Sequence, residues 1–402
     1  MAASTMTRGD PTRVLVVAAS ARMLTELAVA DGYEVLALDR FGDLDLRALA
    51  PVRTAQRSER LADLATEIDA VAVVYGAGFE NRPDLVRRLA AGRELLGTPP
   101  ERLGRARDPW ALAAVARAAG ARVPQTLAGA PRTPGAPVPQ TPAALRTAGA
   151  RTSAQARSAP QPDGAGGETR WLRKPRLGGG GRGVRPYRGG PLAAGEILQR
   201  YVAGLSCSAV AIADGRRALM LGVTEQLHLR PGFRWCGNVV PPRLPATELA
   251  ELEGQLRAVC AQAAERFGLR GAFGVDAIWD GHRTWVLELN PRPTAALELF
   301  GRGTFHAHVL GARGRLAAPE GWPSQAASPT VKLVLYASRR LIAPDPGFWP
   351  AGLTRDIPPR GQAIPRGAPV CTLLSTDASP PELAALGARL LARLPGALAR
   401  DG

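Results

Sequence analysis

From Arg13 to Ala18 the chain reads Arg-Val-Leu-Val-Val-Ala, an apolar run with no polar alternation. Such a run fits a strand buried on both faces. A helical stretch follows over 21–31, then a second strand over 33–39. A third apolar run at 70–74 precedes a helix near 83–91. Strands alternating with helices imply a parallel α/β layer. The first turn carries Ala19-Ser20-Ala21 and lacks Gly-x-Gly-x-x-Gly, so the dinucleotide fingerprint is absent there. Asp39 closes the second strand, where such folds often hold a ribose, and the reading preferred over that one is an exposed strand-end acid.

Asp108-Pro109-Trp110 predicts a helix through 119, with an acid as N-cap, Pro in the first turn and Gly120 as its stop. Residues 128–168 are rich in Pro, Ala, Gly, Ser and Thr and read as an insertion or linker. The pattern then turns antiparallel. Short strands are expected at 170–174, 183–188 and 195–202. A pair at 206–213 and 217–227 is joined by Asp214-Gly215. A helix over 246–267 leads to a hairpin of 272–279 and 284–289. A strand at 330–335 and a helix near 381–393 close the chain. The expected division is an N-terminal α/β domain (1–98), a central domain (99–310) with a lid near 169–203, and a C-terminal β-rich piece with the last helix (311–402).

Composition narrows the function. The formal net charge is +16, yet aromatics are only 5% and the arginines are spread rather than clustered. That argues against nucleic acid as the main partner and for small anionic ligands. Four scattered cysteines form no Cys-x-x-Cys pair, which suits a reducing compartment without a zinc site. No apolar run is long enough to span a membrane and the first residues do not resemble a signal peptide, so a cytoplasmic location is expected.

Two of the 51 basic residues are lysines, Lys174 and Lys332. A chain so biased toward arginine keeps lysine where a compact ammonium does what a planar guanidinium cannot. Lys174 precedes Gly178, Gly179, Gly180, Gly181 and Gly183, a pliable loop suited to phosphates. There is no Gly-Lys dipeptide, which excludes a Walker loop, and no kinase His-Arg-Asp follows. The late hairpin holds Asp276, Glu288 and Asn290 among apolar neighbours. Glu288 and Asn290 are two apart and share a face. Asp276 joins that face if the connecting loop is odd or a bulge intervenes. Oxygen ligands without His or Cys suit Mg²⁺ shared with phosphate.

The order of lysine, glycine flap and carboxylate–Asn hairpin resembles the ATP-grasp superfamily, on its biotin-carboxylase-related side. The motifs are Lys174-Pro175…Gly178–Gly183, the hinge Gln199-Arg200-Tyr201-Val202-Ala203-Gly204, and Asp276…Glu288-Leu289-Asn290-Pro291-Arg292. Gly237-Asn238-Val239-Val240-Pro241 after Phe233-Arg234-Trp235 is similar to a motif of the predicted ATP-dependent carboligase branch. The resemblance implies an α/β ATP-grasp fold: an N-terminal parallel α/β layer, two α+β subdomains sandwiching ATP, and a small β-rich C-terminal piece. It further implies that Lys174 and the glycine flap contact ATP phosphates and that the backbone of Gln199, Arg200, Tyr201 and Val202 meets adenine. Asp276, Glu288 and Asn290 would hold Mg²⁺, and Arg292 would stabilise charge on the transferred phosphoryl group. Arg234 and Asn238 are candidates for the substrate pocket. The hinge of the family commonly begins with Glu, where this chain has Gln199.

The resemblance implies an ATP-dependent ligase that joins a small carboxylic acid to an amine through an acyl phosphate, with a homodimer as a common assembly of the superfamily. Its branch suggests glutamate addition in a methanofuran-like cofactor pathway. A carboxylase working through carboxyphosphate and a basic nucleic-acid-binding or non-catalytic protein stay open as alternatives. Lys332 lies in a strand and is left without a role by the sequence.

Overall fold

The computed structural model describes residues 13–128, 170–319, 322 and 329–396. The expected 128–168 insertion lies, apart from its first residue, outside the described residues.

The first layer is a parallel sheet of β1 (Arg13–Val17), β2 (Glu34–Asp39), β3 (Val52–Thr54), β4 (Ala72–Tyr75) and β5 (Glu94–Leu95), in the order β3-β2-β1-β4-β5. Five helices accompany it: α1 (Arg22–Ala30), α2 (Leu44–Leu49), α3 (Ser58–Ala65), α4 (Pro83–Leu89) and α5 (Pro100–Ala106). The double burial read from β1 is real. Val14 and Val16 pack with Leu24 and Leu27 of α1, whereas Leu15 and Val17 pack with Leu61 of α3 and Val86 of α4. Helix α6 (Pro109–Ala118) starts as expected, with the Asp108 carboxylate accepting from the Trp110 and Ala111 amides.

A small antiparallel sheet follows: β6 (Thr126–Ala128), β7 (Trp171–Pro175), β8 (Arg185–Pro186) and β9 (Glu196–Arg200), ordered β6-β9-β7-β8. It carries the glycine loop between β7 and β8.

The large sheet contains β10 (Leu205–Asp214), β11 (Ala218–His228), β12 (Trp235–Val240), β13 (Arg270–Trp279), β14 (Thr284–Asn290) and β15 (Thr330–Tyr336). After a two-residue strand β16 (Leu341–Ile342), β17 (Thr354–Arg355), β18 (Ala363–Ile364) and β19 (Pro369–Ser375) complete the strands. The order is β14-β13-β10-β11-β12-β15-β19-β17, so strands from the C-terminal part extend the central sheet. Its two faces are covered by different helices. Ala209 and Ala211 of β10 face α7 (Ala246–Phe267), while Val210 and Ile212 face α8 (Thr304–Ala312). The last helix, α9 (Pro380–Arg393), begins with a capping box of Ser379 and Glu382.

Asp39 departs from its expectation. It is fully buried, and its carboxylate accepts from the backbone amides of Ala21, Phe41 and Gly42 at 2.6–2.7 Å. It shapes the loop ends of β1 and β2. All four cysteines are free and buried. Among the described residues no helix is long and apolar enough to cross a membrane.

Candidate functional site

The β13–β14 hairpin settles the parity question. Trp279 pairs with Thr284 around the even loop 280–283, and Ala277 pairs with Val286. The register then shifts so that Asp276 faces Glu288 and Gly274 faces Asn290. Leu287 is the extra residue of a bulge. Without it Asp276 would point to the opposite face. With it, Asp276 lies on the face of Glu288 and Asn290, the outcome that the spacing had tied to a bulge.

Asp276 is held on both oxygens. Oδ1 accepts from Ser208 Oγ at 2.8 Å and Gln226 Nε2 at 3.0 Å, and Oδ2 accepts from Asn290 Nδ2 at 3.0 Å. Burial and the neighbouring Glu288 carboxylate push its pKa up to about 7, against the pull of those hydrogen bonds. Arg107 Nη1 stands 3.9 Å from Glu288 Oε1, and a divalent cation would add the counter-charge that keeps both carboxylates ionised. Among the described residues no cluster of three His, Cys, Asp or Glu could form an all-protein metal cage. Two carboxylates and an amide therefore fit a cation that takes its remaining ligands from phosphate and water, as Mg²⁺ does.

Lys174, on β7, donates to Gln199 Oε1 on β9 at 3.0 Å, and Gln199 Nε2 donates to Thr126 Oγ1 at 3.2 Å. Burial lowers the pKa of the Lys174 ammonium, while Glu288 and Asp276 oppose that shift and Arg107 adds to it. Lys174 thus feels the hairpin acids directly, although it lies about a hundred residues earlier in the chain. The Arg200 amide is bonded to Gln125 O and the Tyr201 amide to Arg170 O. The side chain of Tyr201 meets Phe233 edge-on, at a centroid distance of 6.3 Å.

Sequence reasoning missed Arg107. Its buried guanidinium donates to Asn81 Oδ1 (2.9 Å), Leu289 O (2.7 Å), Asn290 Oδ1 (3.4 Å) and Gly178 O (2.6 Å). It ties the N-terminal layer, the hairpin and the glycine loop together. Two of the three asparagines, Asn81 and Asn290, bond this one side chain. Their rarity was the available signal, whereas Arg107 was hidden among the many arginines.

The glycine loop is held from its other side by the Trp235 amide on Gly180 O at 3.1 Å. Gly181 has φ +68°, and a Cβ there would stand 1.8 Å from Phe233 O. Gly179 has open space around it.

Arg292 donates through Nε to Glu80 Oε1 at 2.9 Å. Burial works to raise the Glu80 pKa, but Arg292 and Arg107 hold it below the ordinary carboxylate value. The structure therefore pairs Arg292 with an acid of the N-terminal layer, next to the hairpin end. Asn238 is buried and its amide is used inside the sheet, accepting from Trp235 Nε1 (3.0 Å) and donating to Thr224 Oγ1 (2.8 Å). Arg234 immediately precedes β12 and its guanidinium lies over Tyr336, 3.9 Å from the ring centroid. Lys174, the glycines, Asp276, Glu288 and Asn290 share one site; Arg234 lies against the glycine loop, where a Cβ on Gly181 would stand 3.2 Å from its Cα, and Asn238 supports the sheet.

Comparison with known proteins gives a domain match and a likeness of fold. Residues 135–296 match the sequence model of the ATP-grasp domain. No curated protein sequence matches the chain. Among solved structures, pyruvate carboxylase from Rhizobium etli superimposes with a TM-score of 0.67 at 15% identity, over 96% of this chain and 37% of that one. The chain thus spans little more than a third of that enzyme. The biotin carboxylase domain of Hydrogenobacter thermophilus 2-oxoglutarate carboxylase, solved with MgADP and bicarbonate, gives 0.66 at 15%, over 96% and 90%. N5-carboxyaminoimidazole ribonucleotide synthetase from Thermus thermophilus gives 0.61 at 17%, over 96% and 100%. Residues 135–296 are thus similar to an ATP-grasp domain, and the α/β architecture of the chain is the fold of these proteins.

Proposed function

We propose that the protein is an ATP-dependent carboxylate–amine ligase. The observation that carries this reading is the convergence of Lys174, the glycine loop and the bulge-aligned pair Asp276–Glu288 in one site. A lysine beneath a flap of backbone amides suits a triphosphate, and the acid pair suits its cation. Asp276, Glu288 and Asn290 would hold Mg²⁺, which when bound with ATP neutralises charge on the phosphate oxygens.

The chain's own residues do the positioning. Lys174 presents a point charge to the phosphates, and the lid, anchored by Arg107 on Gly178 and Trp235 on Gly180, excludes water. A substrate carboxylate oxygen attacks the γ-phosphorus and the bond to the β-phosphate oxygen breaks, giving an acyl phosphate and ADP. An amine nitrogen then attacks the acyl carbon and the carbon–oxygen bond to phosphate breaks, while the nitrogen loses its proton to solvent. Arg292 is proposed to stabilise charge on the transferring group. Its Glu80 partner keeps the guanidinium oriented at the end of β14.

Within this class, glutamate addition in a methanofuran-like cofactor pathway is the finer reading, supported by the likeness of Gly237–Pro241 to the carboligase branch. The acid and amine act as small-molecule partners, the location is proposed as cytoplasmic and the assembly as a homodimer. Release of ADP from a panel of acids and amines tests the class. ADP release that requires both an acid and an amine is expected. ADP release driven by bicarbonate alone would replace the ligase with a carboxylase, and none under any pairing would remove the enzymatic reading.

A further inference from the structure

Among the described residues, the apolar clusters that build the body of the molecule take no residue from β6, β7, β8 or β9. The small sheet that carries Lys174 and the glycine loop therefore shares no core with the body. Its seam with α6 and β14 also leaves a recess of about 150 Å³, lined by Trp110 and Leu112 of α6, Thr126 and Gln199 of the small sheet, and Val286 and Leu287 of β14. A seam without a core is held by its polar contacts, and the two bodies can turn about it.

Residues 107 and 108 supply two of those contacts side by side. Arg107 reaches Gly178 O from the buried side, and Asp108 works on the outside. The Asp108 Oδ1 caps α6, accepting from the Trp110 and Ala111 amides at 2.9 Å. Its Oδ2 accepts from Arg176 Nη2 at 2.8 Å. The same guanidinium lies over the Trp110 ring, 5.3 Å from its centroid. Arg176 belongs to the small sheet, because its amide donates to Gly195 O, just before β9, at 2.7 Å. Asp108 belongs to the body, because Leu112 and Val115 of α6 share a core with Leu252 and Leu256 of α7.

An ion pair open to solvent contributes little by itself, and the Arg176 and Asp108 side chains are 45% and 26% exposed. Here the cap already fixes the carboxylate and the indole ring supports the guanidinium, so little rotamer freedom is lost on pairing. The contact is strong enough to bias the seam and weak enough to break. Lys174 lies two residues before Arg176, so latching Arg176 also places Lys174 where Glu288 and Asp276 act on it.

We propose that Asp108 and Arg176, with Trp110 as their platform, latch the small sheet onto the body and are positioning residues for Lys174 and the lid. The nucleotide as the molecule they help retain rests on the ligase reading. The test uses the full chain in two measurements: hydrogen exchange by mass spectrometry on the free protein, and dissociation of ADP carrying a fluorescent N-methylanthraniloyl group, chased with ADP. Asp108→Asn keeps a capping oxygen for α6 and removes the charge that holds Arg176. It and Arg176→Gln should each speed exchange over 171–184 by about fivefold and leave exchange over 109–118 unchanged. Each should also raise the ADP dissociation rate by about fivefold, with Arg176→Lys recovering part of the loss. The double variant should be no worse than either single one, because both break the same contact. Charge alone predicts the opposite sign for Asp108→Asn, since removing an acid near an anion site tightens anion binding. Parental exchange over 171–184 in both single variants, tighter ADP binding in Asp108→Asn, or additive effects in the double variant would overturn the proposal. A parent that binds no ADP would end the nucleotide reading, and the exchange measurement would still decide the latch.

Discussion

At the scale of single residues, the scarce types mark the working positions. Lys174, Asn81 and Asn290 meet at or beside one site, and Asn238 and Lys332 are direct partners across β12 and β15. Lysine at 174 gives a tetrahedral ammonium with three donors, one of which Gln199 uses. A guanidinium in the same place would be a wide planar fork in place of that compact ammonium, beside the same Arg107 charge. Lys174→Arg should keep the charge and lose about a hundredfold or more in kcat, with the melting temperature little changed. Steady-state ADP release and a thermal melt on the same preparation check this, and near-wild-type turnover would remove the phosphate role. Lys332, left without a role by the sequence, is explained by the fold. Its ammonium donates to Ala295 O at 3.0 Å and pairs with the buried Glu298, which also binds Arg22 of α1 at 2.6 Å.

At the scale of elements, the bulge at Leu287 is the decisive local event. Sequence spacing gave both outcomes for Asp276, because parity depends on one residue that no periodicity reveals. Other elements were legible for clear reasons. Helix α7 agrees with the expected 246–267, because it is long and ends at Gly268 in the left-handed region. Helix α8 was not seen, because it is buried on nearly every side and shows no apolar stripe. Strand β12 was read only as a motif, because Gly237 packs against Lys332 O and breaks its apolar pattern. The glycine loop yields a paired prediction. Gly181→Ala places a Cβ against Phe233 O at a positive φ and should displace the lid, weakening nucleotide affinity by about tenfold or more. Gly179→Ala meets nothing and should bind nucleotide as the parent does. Calorimetry with ADP separates them, and equal affinities would show that the lid does not close in this arrangement.

At the scale of the whole molecule, the parts are locked by buried charge. Arg22 joins Glu298 to Asp356, and Asp45 accepts from the Asp356 and Ile357 amides, so the N-terminal layer, the segment after β14 and the C-terminal strands meet in one network. Burial acts to raise the Asp356 pKa, yet Arg22 and Lys332 hold it down at about 2. Lys332→Met leaves Glu298 with one fewer counter-charge and should cost about 3–5 kcal/mol of stability, measured by chemical denaturation. A second global effect comes from His308. Burial lowers its pKa to about 4, with Nδ1 accepting from the Ala272 amide and Nε2 bonding Leu96 O. The folded state excludes a proton that the unfolded chain takes up below the ordinary value of about 6.5. The resulting stability is therefore complete above that value and falls away as the pH drops from about 6.5 to about 4, by about 3 kcal/mol in all. Denaturation curves at both ends of that window should show the loss in the parent and a smaller one in His308→Gln. Such networks were not legible beforehand, because their members are ordinary charged residues brought together only by the fold. Lys174, the flap and the hairpin were legible, because their order along the chain is itself the pattern.

The central claim is that the site transfers the terminal phosphoryl group of ATP to a substrate carboxylate. It is tested most directly with an acid active in the ADP-release panel, labelled with ¹⁸O in its carboxylate and turned over with its amine, by mass spectrometry of the phosphate released. An acyl phosphate predicts that one labelled oxygen moves from the acid into each phosphate. Phosphate without label, or labelled only when bicarbonate carries the ¹⁸O, would contradict the account.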